Sequence, residues 1–158
     1  MSNPVSPIPA GYHSLQAYLA LRDTAKAIEF YQGLFGAVEI VRLKYPGSTR
    51  VMHAELKLGD SILMLGEEAP EMGVHSPLHY SGSPVSLMHY VPDVDELYAK
   101  ARAAGCTILM PPTDMFWGDR FCKFVDPFGH VWGVATHIAD PTPEEVEEGA
   151  RKAFGCAD

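Results

Sequence analysis

The segment Pro84–Cys106, "PVSLMHYVPDVDELYAKARAAGC", decides the fold. It reads as a strand, then an aspartate, then a helix that ends at Gly105. The same succession occurs earlier in the chain. "SLQAYLAL" (residues 14–21) reads as a strand, and Asp23 or Thr24 caps a helix, "TAKAIEFYQGLF". The apolar positions Ala27, Ile28, Tyr31, Leu34 and Phe35 of that helix recur at helical spacing and stop at Gly36. Aligning Asp23 with Asp93 sets Gln16 opposite Ser86 and Tyr18 opposite Met88, and brings Gly36 within one position of Gly105. An internal repeat of roughly 70 residues is the simplest account.

Three strands after each helix complete the repeat. The first helix is succeeded by "AVEIVRLKY", a turn at "PGS", "RVMHAELKLG", a Gly-Asp turn at 59–60, and "SILMLGE". The second is succeeded by "TILMPP", "RFCKFVDPFG" and "HVWGVATH". The expected fold class is α+β: two βαβββ modules whose curved mixed sheets surround a cleft, within one structural domain. The modules span residues 13–66 and 84–137, joined by a polar linker at 67–83, "EEAPEMGVHSPLHYSGS". Residues 1–12, with three prolines, read as an extended arm, and residues 138–158 as a C-terminal helix and tail. In "TPEEVEEGARKAF", Thr142 is the N-cap, Pro143 takes the first helical position and Glu145 completes a capping box.

Side-chain parity assigns the faces. Each module has one helix, so one face of its sheet stays uncovered and lines the expected cleft. In the first strand Leu15, Ala17, Leu19 and Leu21 should meet the helix, leaving Gln16, Tyr18 and Ala20 on the open face. In "VMHAELKLG" the helix side takes Met52, Ala54, Leu56 and Leu58, and the open side His53, Glu55 and Lys57. In the second module the open face should hold Ser86, Met88 and Tyr90, with Lys123 flanked by Phe121 and Val125. For "HVWGVATH", Val131, Gly133 and Ala135 read as inward, which sends His130 and Trp132 the other way.

Composition excludes some functions. The chain has 158 residues, 47% of them hydrophobic, enough to bury a core. A net charge of -8 and the lack of any Lys/Arg cluster argue against nucleic acid as a partner. The start, "MSNPVSPIPAGYH", has no cationic leader or apolar core, and no segment has the length of a membrane span, so a cytoplasmic location without membrane attachment is expected. Cys106, Cys122 and Cys156 form no C-x-x-C pair, which fits reduced thiols, the first two as small buried apolar residues.

Three stretches carry a family resemblance: "SLQAYLALRDTAKAIEFYQGLFGA" in the first module, "VPDVDELYAKARAAG" in the second, and "DPFGH" before the last strand. Their order and spacing resemble the vicinal oxygen chelate superfamily, the glyoxalase/bleomycin-resistance/dioxygenase fold, over about residues 13–137. "PTDMFWGDRF", "RVMHAELKLGDSILML" and "DPFGHVW" are similar to an uncharacterised bacterial subgroup named after phosphonate-metabolism proteins. The resemblance implies four metal-ligand positions, which fall on Gln16, on or beside Met64, on Ser86 and on Gly133. Only Gln16 offers an oxygen suited to a divalent ion, so no metal and no other cofactor is expected, and the "DPFGH" segment reads as a turn that keeps the family signature. His130 then reads as a packed strand residue and His137 as solvated.

Two functions remain open. In one, the cleft binds a small, partly aromatic metabolite or antibiotic, as the resemblance to bleomycin-resistance proteins implies. Its contacts would be Gln16, Tyr18, Met64, Ser86, Met88, Tyr90, Trp117, Arg120, Phe121 and Lys123, with Trp117 stacking. Seam packing is the plainer reading of both tryptophans, favoured for Trp132. In the other, the protein is a lyase, isomerase or dioxygenase of that superfamily. His53 and Glu55, two apart on one strand face, would serve as catalytic acid and base or as ligands of a displaced divalent metal, against a plainer reading as a hydrogen-bonded pair. Literal glutathione-dependent glyoxalase chemistry lacks its four ligands and its basic edge. The resemblance also implies a homodimer, with the arm or the C-terminal helix as exchangeable elements.

Overall fold

The computed structural model describes residues 5–155. Cys156 therefore lies outside the described residues. The chain divides into two compact units, Met1–Gly82 and Ser83–Asp158.

The first unit runs β1 (Ala17–Leu21), α1 (Thr24–Phe35), β2 (Val38–Lys44), β3 (Val51–Leu58) and β4 (Ser61–Glu67), then two single-turn 3-10 helices at Pro70–Met72 and Pro77–His79. The second runs β5 (Ser86–Tyr90), α2 (Val94–Ala103), β6 (Thr107–Asp114), β7 (Asp119–Val125), β8 (Val131–His137) and α3 (Pro143–Phe154). The sheet orders are β1-β4-β3-β2 and β5-β8-β7-β6, so both units are βαβββ modules with the same topology. In each, the first and last strands are parallel and the other pairs antiparallel. Tyr18 pairs with Met64 as Met88 pairs with Gly133, which is the register the Asp23–Asp93 alignment requires.

Local chemistry sets the helix ends. The Asp23 carboxylate accepts from the Lys26 amide at 3.1 Å and the Asp93 carboxylate from the Glu96 amide at 2.9 Å. Each such cap contributes about 1 kcal/mol. Gly36, at φ 67°, turns the chain out of α1 in a conformation that other residues adopt only under strain. At α3 the Thr142 hydroxyl and the Glu145 carboxylate exchange backbone hydrogen bonds as a capping box, with Pro143 in the first turn.

The strands bury the predicted faces except at Met52 and Leu15. Leu19, Leu21, Ala54, Leu56 and Leu58 are buried, as are Ala27, Ile28, Tyr31 and Leu34 of α1. Burying each leucine or isoleucine side chain among these is worth about 1.5–3 kcal/mol. Met52, expected on the helix side, is instead 41% exposed and Val51 is fully buried. The β2–β3 register shifts between Leu43 and Lys44, and an extra residue there breaks the alternation. Leu15 precedes β1 and is exposed, because the first strand starts later than its alternating pattern suggests. In the second unit Cys122, Phe124, Trp132 and Val134 are buried together with Val94, Leu97 and Ala101 of α2.

The "DPFGH" segment is a turn built on one carboxylate. Asp126 accepts from the Phe128 and His130 amides at 2.9 and 3.0 Å and from the Trp132 indole at 2.9 Å. Gly129, at φ 89°, supplies the left-handed residue. Trp132 is 2% exposed and His130 is buried, so both are packed residues. Burial pushes the Cys122 thiol up to about 11 and the half-buried Cys106 thiol up to about 12. Thiols that stay protonated in this way are poor nucleophiles and poor metal ligands.

Candidate functional site

Each sheet turns one face to its helix and leaves the other open, and each open face carries its own hydrogen-bonded polar cluster. On the first sheet, strand pairing places Tyr18, Met64 and Glu55 on one row, because Tyr18 pairs with Met64 and Met64 with Glu55. His53 lies two residues along β3 on the same side. Glu55 is buried and accepts a hydrogen bond from the Tyr12 hydroxyl. Its other oxygen lies 3.1 Å from His53 Nε2, and His53 Nδ1 is 3.2 Å from the Tyr18 hydroxyl. The result is a linear chain, Tyr12–Glu55–His53–Tyr18, whose outer end is the half-exposed Tyr18 ring. The Tyr12 hydrogen bond, with help from His53, holds the Glu55 carboxyl below the usual range, so it stays ionised. Burial raises the Tyr18 phenol, which keeps its proton.

Gly66 makes room for this arrangement. A Cβ there would stand 2.7 Å from the Tyr18 hydroxyl and 3.0 Å from the Met52 carbonyl oxygen. Gln16 is not on the strand. It sits one residue ahead of β1, and its side-chain amide donates to the His13 carbonyl at 3.1 Å.

The second sheet carries an aromatic face. Met88 pairs with Gly133 and Gly133 with Lys123, while Tyr90 pairs with Ala135 and Ala135 with Phe121. Ser86 and Val131 continue the same face. A Cβ on Gly133 would lie 2.8 Å from the Phe121 ring and 3.2 Å from the Met88 sulfur, so these two side chains lie across the glycine. Trp117, in the β6–β7 turn, meets Phe121 edge to face with centroids 6.2 Å apart.

At the end of this face lies a carboxylate absent from the sequence-derived candidates. Asp119 is 3% exposed. One of its oxygens accepts from the Tyr90 hydroxyl at 2.9 Å and from the Trp117 indole at 3.1 Å, and the other lies 2.8 Å from His137 Nδ1. The second His137 nitrogen lies 3.0 Å from Asp140. His137 is thus solvent-facing, as expected, but is also bridged between two carboxylates. Parity alone could have placed Asp119 on the side of Phe121 and Lys123, since all three alternate along β7. Tyr12 had no such signal, being 43 residues from its partner.

Arg120 corrects the expected lining. It pairs with Thr136 on the opposite parity, and its guanidinium binds both oxygens of Asp95 at 2.6 and 2.8 Å and Asp114 at 2.8 Å. Held by two carboxylates beside α2, it is directed away from the row of Phe121 and Lys123. Lys123, half-buried, has no ion pair among the described residues. No group of three or more His, Cys, Asp or Glu side chains among the described residues could hold a metal ion. Nor is any helix among them long and apolar enough to cross a membrane.

The His137 bridge carries a pH dependence. Asp140 first, then Asp119, raise the imidazole above its ordinary 6.5. The raised value means the folded protein holds this proton more tightly than the unfolded chain. The stabilisation is complete below about 6.5 and is lost as pH rises through the folded-state value. Urea midpoints measured across neutral to alkaline pH should fall for the wild type and flatten in His137→Gln. An unchanged pH slope in that variant would refute the assignment.

Comparison with known proteins adds a family and its relatives. Residues 13–134 match the Glyoxalase/Bleomycin resistance protein/Dioxygenase superfamily. An uncharacterised protein of Mycobacterium tuberculosis is 34% identical over 137 residues, covering 85% of this chain and 80% of its own. Among solved structures, TioX from Micromonospora sp. ML1 is similar at 27% identity and a TM-score of 0.61, over 78% of this chain and 98% of its own. A glyoxalase/bleomycin resistance protein/dioxygenase from Nocardioides aligns at 25% identity and a TM-score of 0.59, over 89% and 90%.

Proposed function

Since the chain belongs to the Glyoxalase/Bleomycin resistance protein/Dioxygenase superfamily, we propose that it binds a small, partly aromatic molecule on an open sheet face rather than converting one at a metal. The observation that carries this reading is Gly133. At the position where the resemblance implies a metal ligand there is no side chain, and the Phe121 ring and Met88 sulfur occupy the space one would need. The other implied positions hold Met64, Ser86 and Gln16, the last with its amide nitrogen bound to a backbone carbonyl. A thioether, a hydroxyl, a hydrogen and one neutral amide do not fit a divalent ion. Met88, Tyr90, Trp117 and Phe121 instead provide flat apolar contact, and Lys123 a charge.

A second reading rests on the Tyr12–Glu55–His53–Tyr18 chain. An ionised, buried Glu55 that orients His53 is the arrangement a general acid–base pair needs. Its outer end is a phenol that holds its proton, however, and both imidazole nitrogens are engaged.

One set of measurements separates the two. Elemental analysis of the purified chain should give substoichiometric metal. Anilinonaphthalene sulfonate should bind saturably and quench tryptophan emission. Phe121→Ala and Lys123→Ala should weaken that binding about tenfold, and His53→Ala should leave it unchanged. Stoichiometric metal that disappears in His53→Ala or Glu55→Ala would overturn the binding reading in favour of the acid–base site, and unsaturable dye binding would also overturn it.

A further inference from the structure

The polar groups of the second sheet's open face restrict what it can hold. Tyr90 gives its hydroxyl proton to Asp119 at 2.9 Å, and Trp117 gives its indole proton to the same oxygen at 3.1 Å. Asp119 is 3% exposed and also faces His137, so three groups engage it and it is closed to solvent. With its proton committed inward, Tyr90 presents only oxygen lone pairs to a ligand. It is half-exposed and can accept but not donate. Trp117 has no polar function left and offers only its ring. The remaining cation is Lys123, which has no ion pair among the described residues.

These two functions stand at opposite corners of a small apolar field. Tyr90 shares a row with Ala135 and Phe121, and Lys123 shares the next with Gly133 and Met88. Neighbouring rows on one face are about 7 Å apart and three strands span about 10 Å. The Cα diagonal is therefore about 12 Å; the Tyr90 hydroxyl is drawn past the Phe121 row to Asp119, so the lysine side chain is the one able to close the span. Ala135 and Gly133 between them are buried, Gly133 beneath the Phe121 ring and the Met88 sulfur, which provide the flat, polarisable contact. One substituted ring fills such a space, with an anionic group at the lysine and a donor at the tyrosine.

On the premise that this face binds aromatics, we infer that it selects an aromatic acid bearing a hydroxyl or amino donor at the end of the ring away from its carboxylate. The carboxylate pairs with Lys123 and the distal donor with Tyr90. Asp119 is a positioning residue, because it fixes the direction in which Tyr90 points its lone pairs. An acid with a bare ring leaves Tyr90 unsatisfied, and one with a methoxy group sets two acceptors against each other.

Calorimetric titration of the full chain with para-hydroxybenzoate, para-aminobenzoate, benzoate, para-methoxybenzoate and para-hydroxybenzamide tests the assignment. The hydroxy and amino acids should bind about fivefold to tenfold more tightly than benzoate and the methoxy acid, as one hydrogen bond allows. The neutral amide should lose a similar factor relative to the hydroxy acid. Tyr90→Phe should erase the preference for a donor while retaining the preference for acid over amide, and Lys123→Gln should do the reverse. Far-UV circular dichroism of both variants should match the wild type. Equal affinity across the acids, or no benzoate binding alongside saturable dye binding, would overturn this inference and leave the broader binding reading intact. Failure of the dye titration as well would remove both.

Discussion

Trp132→Ala should lower the stability of the chain by about 3–5 kcal/mol, the cost of deleting a large aromatic side chain from a packed core. The indole is 2% exposed and its nitrogen donates to Asp126 at 2.9 Å. That carboxylate also gathers the Phe128 and His130 amides, so the substitution both opens a cavity and removes one donor from a buried acceptor. For a chain of this length the melting temperature should fall by about 6–20 °C. Trp132→Phe, which retains most of the volume but not the donor, should recover more than half of the loss. Thermal and urea denaturation of both variants check this. A loss below about 1 kcal/mol for alanine would mean that the "DPFGH" turn does not depend on its tryptophan.

The second large effect is expected at Gly118, the residue that turns β6 into β7. Gly118 has φ 95°, and a Cβ there would lie 2.1 Å from the Ala139 carbonyl oxygen and 2.7 Å from the Pro141 ring. Its own carbonyl accepts from the Ile138 and Ala139 amides at 2.8 and 3.0 Å, which fastens the segment after β8 across the turn. A left-handed conformation costs a non-glycine residue about 1–2 kcal/mol, and no rotamer moves a Cβ away from backbone. Added to an overpacking cost of about 1–3 kcal/mol, this means Gly118→Ala should destabilise by about 2–5 kcal/mol. It should also displace the segment carrying His137 and Asp140, and with it the grip on Asp119. The expected signature is a lowered urea midpoint together with a flattened alkaline pH dependence. Gly33→Ala is the control: nothing lies within 4 Å of its Cβ position, and its φ is not in the left-handed range, so it should be neutral or mildly stabilising.

Asp119 shows how close the sequence comes to the site and where it stops. The stretch "PTDMFWGDRF" stands out, and Trp117 reads from it as a ligand contact. In the structure the indole nitrogen is spent on an internal carboxylate two residues away, and the ring meets that of Phe121 edge to face. Arg120, a candidate from the same stretch for its charge, faces the other side because β7 runs through it with the opposite parity. Analogy with His53 of the first repeat assigns Lys123, flanked by Phe121, to the open face, and in the strand pairing the two share one parity along β7.

By itself, the sequence determined the two-module α+β architecture, the helix caps at Asp23, Asp93 and Thr142, and the face on which most strand residues lie. Those features arise from spacing and from chemistry within a few residues, such as a period of two in strands or a carboxylate reaching an amide three positions on. Only the tertiary structure decided that Tyr12 meets Glu55, that Asp119 accepts from Tyr90 and Trp117 and faces His137, and that Phe121 lies across Gly133. The physical reason is that hydrogen bonds have direction and a glycine has only space to offer. Which group gives its proton, and which ring fills the gap, depends on side chains that strand pairing brings together from distant parts of the chain.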